Sequence, residues 1–399
     1  MYRPLWETFS TPPTHLLPQN LPFPNSPCYS CGIEVDMTLH ELPQITVTGT
    51  PQELGHGQGE AFRDMIQAFV PMRFEAATLY LAEAGRGDLN ALRANGRQCF
   101  EIFRGWDPDA FDEHCAVAEA AHVDPIDLFT AANMTDMRDV TALSGASDEE
   151  GCTSLMLPTS HSREGMILAG QTWDLNPQDI DYVVAIHRLP STGVETWSVT
   201  VSGCPTLVGM NADGRAVGTT NIKTWGSRIG VGYMNILHRA LNSSAWDEAA
   251  ATIEQAPRSG AHTYWMADPD HAKEWETHPD FVAIRDTVDG PISRTNHCLS
   301  TAHVELEWQP PSSSSSKRLH RADAVLAQGN HDVTSLQALF GDREDGVDSI
   351  NRYAEDDQGT ATNSTIVVVP ARREFWACKG SPDRGRWQQL PFETGPSPR

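Results

Sequence analysis

No uninterrupted apolar run in this sequence approaches the roughly 18 residues needed to span a bilayer. The opening stretch, MYRPLWETFSTPPTHLLPQNLPFP, also lacks the apolar block of a signal peptide. Both absences lead to the expectation of a cytoplasmic protein with no membrane partner. Positive charge is scarce as well: 29 Lys and Arg stand against 53 Asp and Glu, a formal net charge of −24. Neutralising phosphates takes a basic surface, so nucleic acid is excluded as a natural partner and an anionic membrane surface is disfavoured. Cysteine is sparse, eight in 399 residues, too few for a disulfide scaffold, and most thiols are expected to be free. Cys28 and Cys31 form a CxxC, but no second pair stands at zinc-ligand spacing, so neither a metal nor another cofactor is expected.

What is present is the composition of an ordinary globular protein, 39% hydrophobic and 21% charged, in a chain long enough for a substantial core. Residues 1–42 are proline-rich and aperiodic and read as an extended arm. From Gly49 the text GTPQELGHGQGEAFRDMIQAFVPMRFEAATLYLAEAG turns helical, with Leu54, Ala61, Met65, Ile66, Phe69 and Val70 on one face. GHGQG lacks the preceding strand and the lysine of a phosphate-binding loop, so it reads as close packing at a helix start. Further helices are expected at 110–122 and 125–139, the second opening at Asp124–Pro125.

After Gly151 short β-branched segments follow one another: TSLMLP, GMILAGQTWD, DYVVAIHRL, VETWSVTV, TLVGMNADG and RAVGTTNIK. Helices are expected at 231–241 and 245–256, then a second strand set, AHTYWMAD, AKEWETH, FVAIRDT and SRTNHCLS. PPSSSSS, residues 310–316, reads as a flexible surface loop ahead of helices at 318–328 and 333–340. TNSTIVVVPARREFWACKG closes the chain as a hairpin. This order suits a single large α+β domain, two antiparallel sheets sandwiched between helical layers.

The chemistry is concentrated in EEGCTSLML, residues 149–157, where a cysteine follows a glycine at the start of a strand. A thiol there can attack the preceding carbonyl, shift the chain to a thioester and release it to water. The new N-terminal cysteine then carries both a thiol and an α-amine, whose ordinary pKa of about 7.7–8.0 makes it a base for its own thiol near neutrality. Gly151, without Cβ, tolerates the distorted backbone this attack requires. GQTWDLN brings Asp174 back toward Cys152 if the two strands pair, where it can hold an ammonium group. Asn221 ends another strand in NADGRAVGTTN and Asn296 is placed likewise in SRTNHC, and an amide at such a place can donate into an oxyanion hole. Taken singly, a turn aspartate and two turn asparagines are the plainer readings.

The series GTPQELGHGQGEAF, EEGCTSLML, GQTWDLN, NADGRAVGTTN and SRTNHC resembles the acyl-coenzyme A:isopenicillin N acyltransferase family, from about Gly49 to Gly380. The wider membership of that family includes hydrolases of β-alanyl amides. Bile-salt and penicillin V amidases resemble it more distantly in placing a Cys, an Asp and two Asn in this order. The resemblance implies an N-terminal nucleophile fold of four layers, αββα, made as a precursor and cleaved between Gly151 and Cys152. Residues 43–151 then form a helical leading piece and 152–399 the catalytic piece, held together as one compact domain. By position the resemblance implies Cys152 as nucleophile, Asp174 as the acid that orients it, Asn221 as an oxyanion donor and Asn296 as a second polar group. The arginine expected downstream has no clear counterpart; Arg352 and Arg294 are candidates, and His297 and Trp173 are candidate substrate contacts.

Other readings stay open at this stage. A papain-like protease needs its cysteine at a helix start, and Cys152 opens a strand. A structural thiol leaves Gly151 and GQTWD unexplained, and a silent binding protein on the same fold is a third reading. Among catalytic readings, hydrolysis and acyl transfer share a thioester on Cys152 and differ in the nucleophile that discharges it. Hydrolysis of a small amide is the expectation, because water is always present. Trp173, Trp225 and Trp265 are candidates for an apolar acyl pocket. The acidic surface favours a cationic or neutral amine leaving group over an anionic one. A homo-oligomer is neither specified nor excluded.

Overall fold

The helices of the N-terminal half start where the sequence supplies caps. In the computed structural model, which describes residues 39–85, 87–142 and 151–395, Thr50 and Glu53 form a capping box at the start of helix Pro51–Ala61. Asp124 accepts from the amides of Ile126 and Asp127 to open helix Pro125–Ala132. Between them run Arg63–Ala84, Leu89–Trp106 and Pro108–Ala121, and Met134–Ala142 follows. The single helix expected over 125–139 is two, broken at Asn133, whose side-chain amide donates to Phe129 O and Asn235 Oδ1. The Cys28–Cys31 pair, most of the 1–42 arm, and residues 143–150 lie outside the described residues.

The strands form two sheets. The larger has eight, in spatial order Gln44–Gly49, Val183–Pro190, Thr196–Val201, Val208–Asn211, Ala216–Asn221, His262–Ala267, Ala272–Thr277 and Val282–Asp286. All of its pairs are antiparallel except the first, Gln44–Gly49 with Val183–Pro190. The second sheet has six, ordered Ile292–Arg294, Thr153–Leu157, Leu168–Leu175, Ala361–Val369, Glu374–Lys379 and Trp387–Gln389, all antiparallel. Helices Pro51–Ala61, Tyr233–Asn242 and Trp246–Gln255 pack on the larger sheet, and Ser313–Leu326 and Val333–Phe340 on the smaller. The result is the four-layer αββα sandwich that the resemblance implied.

Side-chain alternation along Thr153–Leu157 explains why every residue of that strand is buried. Leu155 and Leu157 join Leu326, Leu336, Leu339 and Phe340 under the outer helices, while Met156 enters the large central core. Ser154 Oγ reaches Thr220 Oγ1 of the larger sheet at 3.1 Å, a polar tie between the two layers.

The serine run is not a loop. Ser312 caps a helix that begins at Ser313, its Oγ accepting from Ser315 N at 3.0 Å. Serine is a strong N-cap residue, and here the run is the first turn itself, with Ser314 and Ser315 buried toward the smaller sheet.

Candidate active site

Cys152 stands immediately before strand Thr153–Leu157, which pairs with Leu168–Leu175 in the register Thr153 to Thr172. That hairpin brings Asp174 alongside, although it lies 22 residues on. The thiol donates to the main-chain oxygen of Asp174 at 3.8 Å, and Gly151 N–H donates to the same oxygen at 3.4 Å. Cys152 is 5% exposed and Asp174 fully buried.

Gly151 owes its place to close approach. A Cβ there would meet Arg352 Nη1 at 2.5 Å, Arg352 Cδ at 2.8 Å and Asp174 Cβ at 3.0 Å. Crowding by an arginine and the aspartate, rather than backbone freedom, is what requires glycine here.

Burial pushes the Asp174 carboxyl up to about 6, against the lowering influence of the Arg318 and Arg352 guanidinium groups and of the Thr362 and Thr172 hydroxyls. Thr172 Oγ1 donates to Asp174 Oδ2 at 3.3 Å and accepts from Thr153 N at 3.1 Å. Asp174 Oδ1 is buried with no hydrogen-bond partner among the described residues.

Asn221 ends strand Ala216–Asn221, and its Oδ1 is likewise buried without a partner among the described residues. Asn296 reaches it from the loop after Ile292–Arg294: Nδ2 donates to Asn221 O at 3.1 Å, and Oδ1 accepts from Arg318 Nη2 at 2.9 Å. Both ends of the Asn296 amide are therefore committed, and it braces the two sheets.

Arg318 was not foreseen. It is fully buried on helix Ser313–Leu326 and donates to Cys152 O at 2.5 Å, Thr153 Oγ1 at 3.0 Å, Asn296 Oδ1 at 2.9 Å and Ser314 Oγ at 3.1 Å. Burial, reinforced by the neighbouring Arg352 charge, lowers its pKa to about 10, while Asp174 and Cys152 act to raise it. Two arginines, Arg318 and Arg352, thus act electrostatically on Asp174. Sequence carried one usable signal, the Ser314–Arg318 spacing of four on one helix face, and the serine-loop reading hid it.

Four expected contacts fall elsewhere. Arg294 is fully buried and bound to Glu274, Glu276 and the carbonyl of His297, a structural ion cluster that leaves nothing for a substrate. His297 is buried against Ser315, its Nδ1 2.7 Å from Oγ, and burial with the Arg294 and Arg318 charges lowers its pKa to about 4. Trp265 lies in the core with its N–H on Gln171 Oε1, and Trp225 is 48% exposed at the surface. Trp173 lines a cavity of about 20 Å³ together with Cys152, Asp174, Leu207, Asn221 and His262. That is room for about one water molecule. Leu175, also on its wall, borders in turn a cleft of about 550 Å³ beside Tyr80, Arg138 and Gln358.

A family model described as acyl-coenzyme A:6-aminopenicillanic acid acyl-transferase matches residues 161–384. The chain belongs to this family. The matched span of the acyl-transferase model includes Asp174, Asn221, Asn296, Arg318 and Arg352 and begins after Cys152. No curated protein matches the chain. Among solved structures it is similar to a mutant of the conjugated bile acid hydrolase from Clostridium perfringens, at 11% identity and TM-score 0.41, covering 61% of this chain and 98% of that one. The Caenorhabditis elegans ortholog of N-acylethanolamine-hydrolyzing acid amidase is 13% identical, with TM-score 0.41 and coverage of 60% and 100%. Penicillin V acylase from Agrobacterium tumefaciens is 12% identical, with TM-score 0.40 and coverage of 61% and 89%.

Proposed function

We propose that the chain is a self-processing amide hydrolase that works through a thioester on Cys152. The observation that carries this reading is the convergence of the Cys152 thiol and the Gly151 amide on one Asp174 oxygen, beside two buried acceptors, Asp174 Oδ1 and Asn221 Oδ1, that have no partner among the described residues. A buried acceptor without a partner costs about 1–3 kcal/mol, and a primary ammonium freed at Cys152 offers the protons to satisfy both.

In the first stage the thiol attacks the Gly151 carbonyl, and Arg318 steadies the backbone by holding the carbonyl of Cys152 itself. Water then cleaves the resulting thioester and leaves Cys152 as a new N-terminus. In turnover the α-amine takes the thiol proton, and the thiolate attacks the carbonyl of a small N-acyl amide. The amine departs with a proton, leaving the acyl group on sulfur. Asp174 positions the α-ammonium, Asn221 presents its side-chain amide at the site with Asn296 bracing its backbone, and Trp173 forms an apolar wall. Substrate reaches the thiol past Leu175 from the neighbouring cleft.

Hydrolysis is favoured over transfer to a second amine because the cavity beside Cys152 has room for a water, which needs no binding site of its own. Incubation with a panel of N-acyl amides and thioesters, followed by intact-mass measurement, tests the reading. An added acyl mass on the piece that begins at Cys152 is expected; turnover with no such adduct, even after rapid acid quench, would remove it.

A further inference from the structure

On the wall of the cavity that holds Cys152 stands a second acid–base pair, His262 with Asp136 behind it. His262 opens strand His262–Ala267 and is paired directly with Asn221 across the antiparallel ladder, so the two side chains leave the same face of the sheet. His262 Nε2 lies 2.8 Å from Asp136 Oδ1, and Tyr233 N–H donates to Asp136 Oδ2 at 2.8 Å. Tyr233 also stacks on the imidazole, ring centroids 4.5 Å apart at 22°. Asp136, on helix Met134–Ala142, is 1% exposed and His262 2%.

A carboxylate only accepts, so Nε2 carries the proton and neutral Nδ1 presents a lone pair. That Nδ1 is buried and has no partner among the described residues. It lies on a residue that lines the cavity shared by Cys152, Asp174 and Asn221. The residues lining the cavity therefore carry three acceptors without partners among the described residues, Asp174 Oδ1, Asn221 Oδ1 and His262 Nδ1, and the cavity has room for about one water. An α-ammonium at Cys152 accounts for the first two. A third acceptor, held in one tautomer by a buried carboxylate, is arranged for a different proton.

We propose that His262, oriented by Asp136, is the general base of the second half-reaction. It takes the proton of the water that discharges the Cys152 thioester, which frees the α-amine to serve acylation. The water oxygen bonds to the thioester carbon as its proton passes to Nδ1. The carbon–sulfur bond then breaks, and the imidazolium, stabilised by Asp136, returns the proton to the departing thiolate. The products are a carboxylic acid and the free thiol. This rests on the thioester reading above.

The test uses p-nitrophenyl acetate, whose p-nitrophenolate burst reads acylation and whose steady rate reads deacylation. His262→Gln is expected to keep the burst and to lose about 10²–10⁴-fold in the steady rate, the usual range for a general base, with acetyl-Cys152 accumulating by mass. Hydroxylamine, which attacks a thioester without base assistance, is expected to restore the discharge, a response that damage to the fold would not give. Asp136→Asn is made in parallel, because an amide donating to Nε2 forces the proton onto Nδ1; it is expected to show the same accumulation. An unchanged steady rate in either folded variant would overturn the proposal. Absence of a burst and of an acetyl adduct in the unmodified protein would overturn the thioester reading first, and this proposal with it.

Discussion

Arg318 Nη1 donates to the main-chain oxygen of Cys152 at 2.5 Å, a contact between residues 166 positions apart. The same guanidinium bonds Asn296 and Thr153, so one buried side chain fixes the start of the nucleophile strand and the brace between the sheets. Its planar fork makes several directed bonds at once, which an ammonium cannot reproduce. Arg318→Lys is therefore expected to slow both processing and turnover by about 10²–10³-fold, the range seen when a positioned charge-stabilising donor is lost. Rates measured alongside circular dichroism would check this; native rates in a folded Lys variant would show that the contact is ornamental.

Asp174 trades stability for function. Its folded pKa lies at about 6 rather than the ordinary 3.8, so folding favours the protonated form. The contribution from this group is fully present below about pH 4 and is lost as pH rises through about 6. Above that, keeping the carboxylate ionised in the interior costs up to about 3 kcal/mol. In uncleavable Cys152→Ala protein, Asp174→Asn is expected to melt higher than its parent at pH 8 and equally at pH 3.5; in the self-processing chain it is expected to lose about 10²–10⁴-fold in turnover. Melting curves across that pH range decide it; a variant less stable at pH 8 contradicts the assignment.

Gly151→Ala separates processing from catalysis. The added methyl meets Arg352 and the Asp174 Cβ, so the scissile bond is displaced. Cleavage of the precursor is expected to slow by at least about tenfold, since a shift of about 1 Å in a reacting group costs up to 10²-fold. Protein supplied as two chains, with Cys152 leading the second, is expected to be fully active whichever residue ends the first.

Three buried pairs join the leading helices to the rest of the chain: Arg73 with Asp179 at 3.1 Å, Glu113 with Arg188 at 2.7 Å and Asp136 with His262 at 2.8 Å. These are expected to hold the two pieces together after cleavage. Desolvation acts to raise the Glu113 pKa, but the Arg188 and His238 charges outweigh it and bring it from 4.5 to about 2. Its stabilisation is present above about pH 4.5 and is lost as pH falls through about 2. Glu113→Gln leaves Arg188 buried and unpaired and is expected to cost about 3–5 kcal/mol at neutral pH. Urea titration of the processed protein measures it, with co-elution of the two pieces as the readout of association.

Much of this was legible in the sequence because hairpins obey local rules. Cys152 and Asp174 meet through adjacent strands whose β-branched text and turn residues set the pairing, and Gly151 marks the crowded point. Helix Leu89–Trp106 was missed; Gly96 is inside it because its Cα faces Thr130, whose hydroxyl a Cβ would meet. Arg318 was hidden by a serine run that looked featureless and is a capped helix start. His262 was hidden in AHTYWMAD, which reads as core strand, since only the folded chain brings Asp136 to its ring. Arg294 looked available beside Asn296, but burial without Glu274 and Glu276 would leave its charge uncompensated, and sequence distance concealed both partners.

The central claim is that Cys152 becomes an N-terminus and works from there. Intact-mass measurement of active protein under denaturing conditions tests it directly. Two polypeptides are expected, the second beginning at Cys152, with Cys152→Ala giving one inactive chain. Full activity from an uncleaved chain would contradict the account.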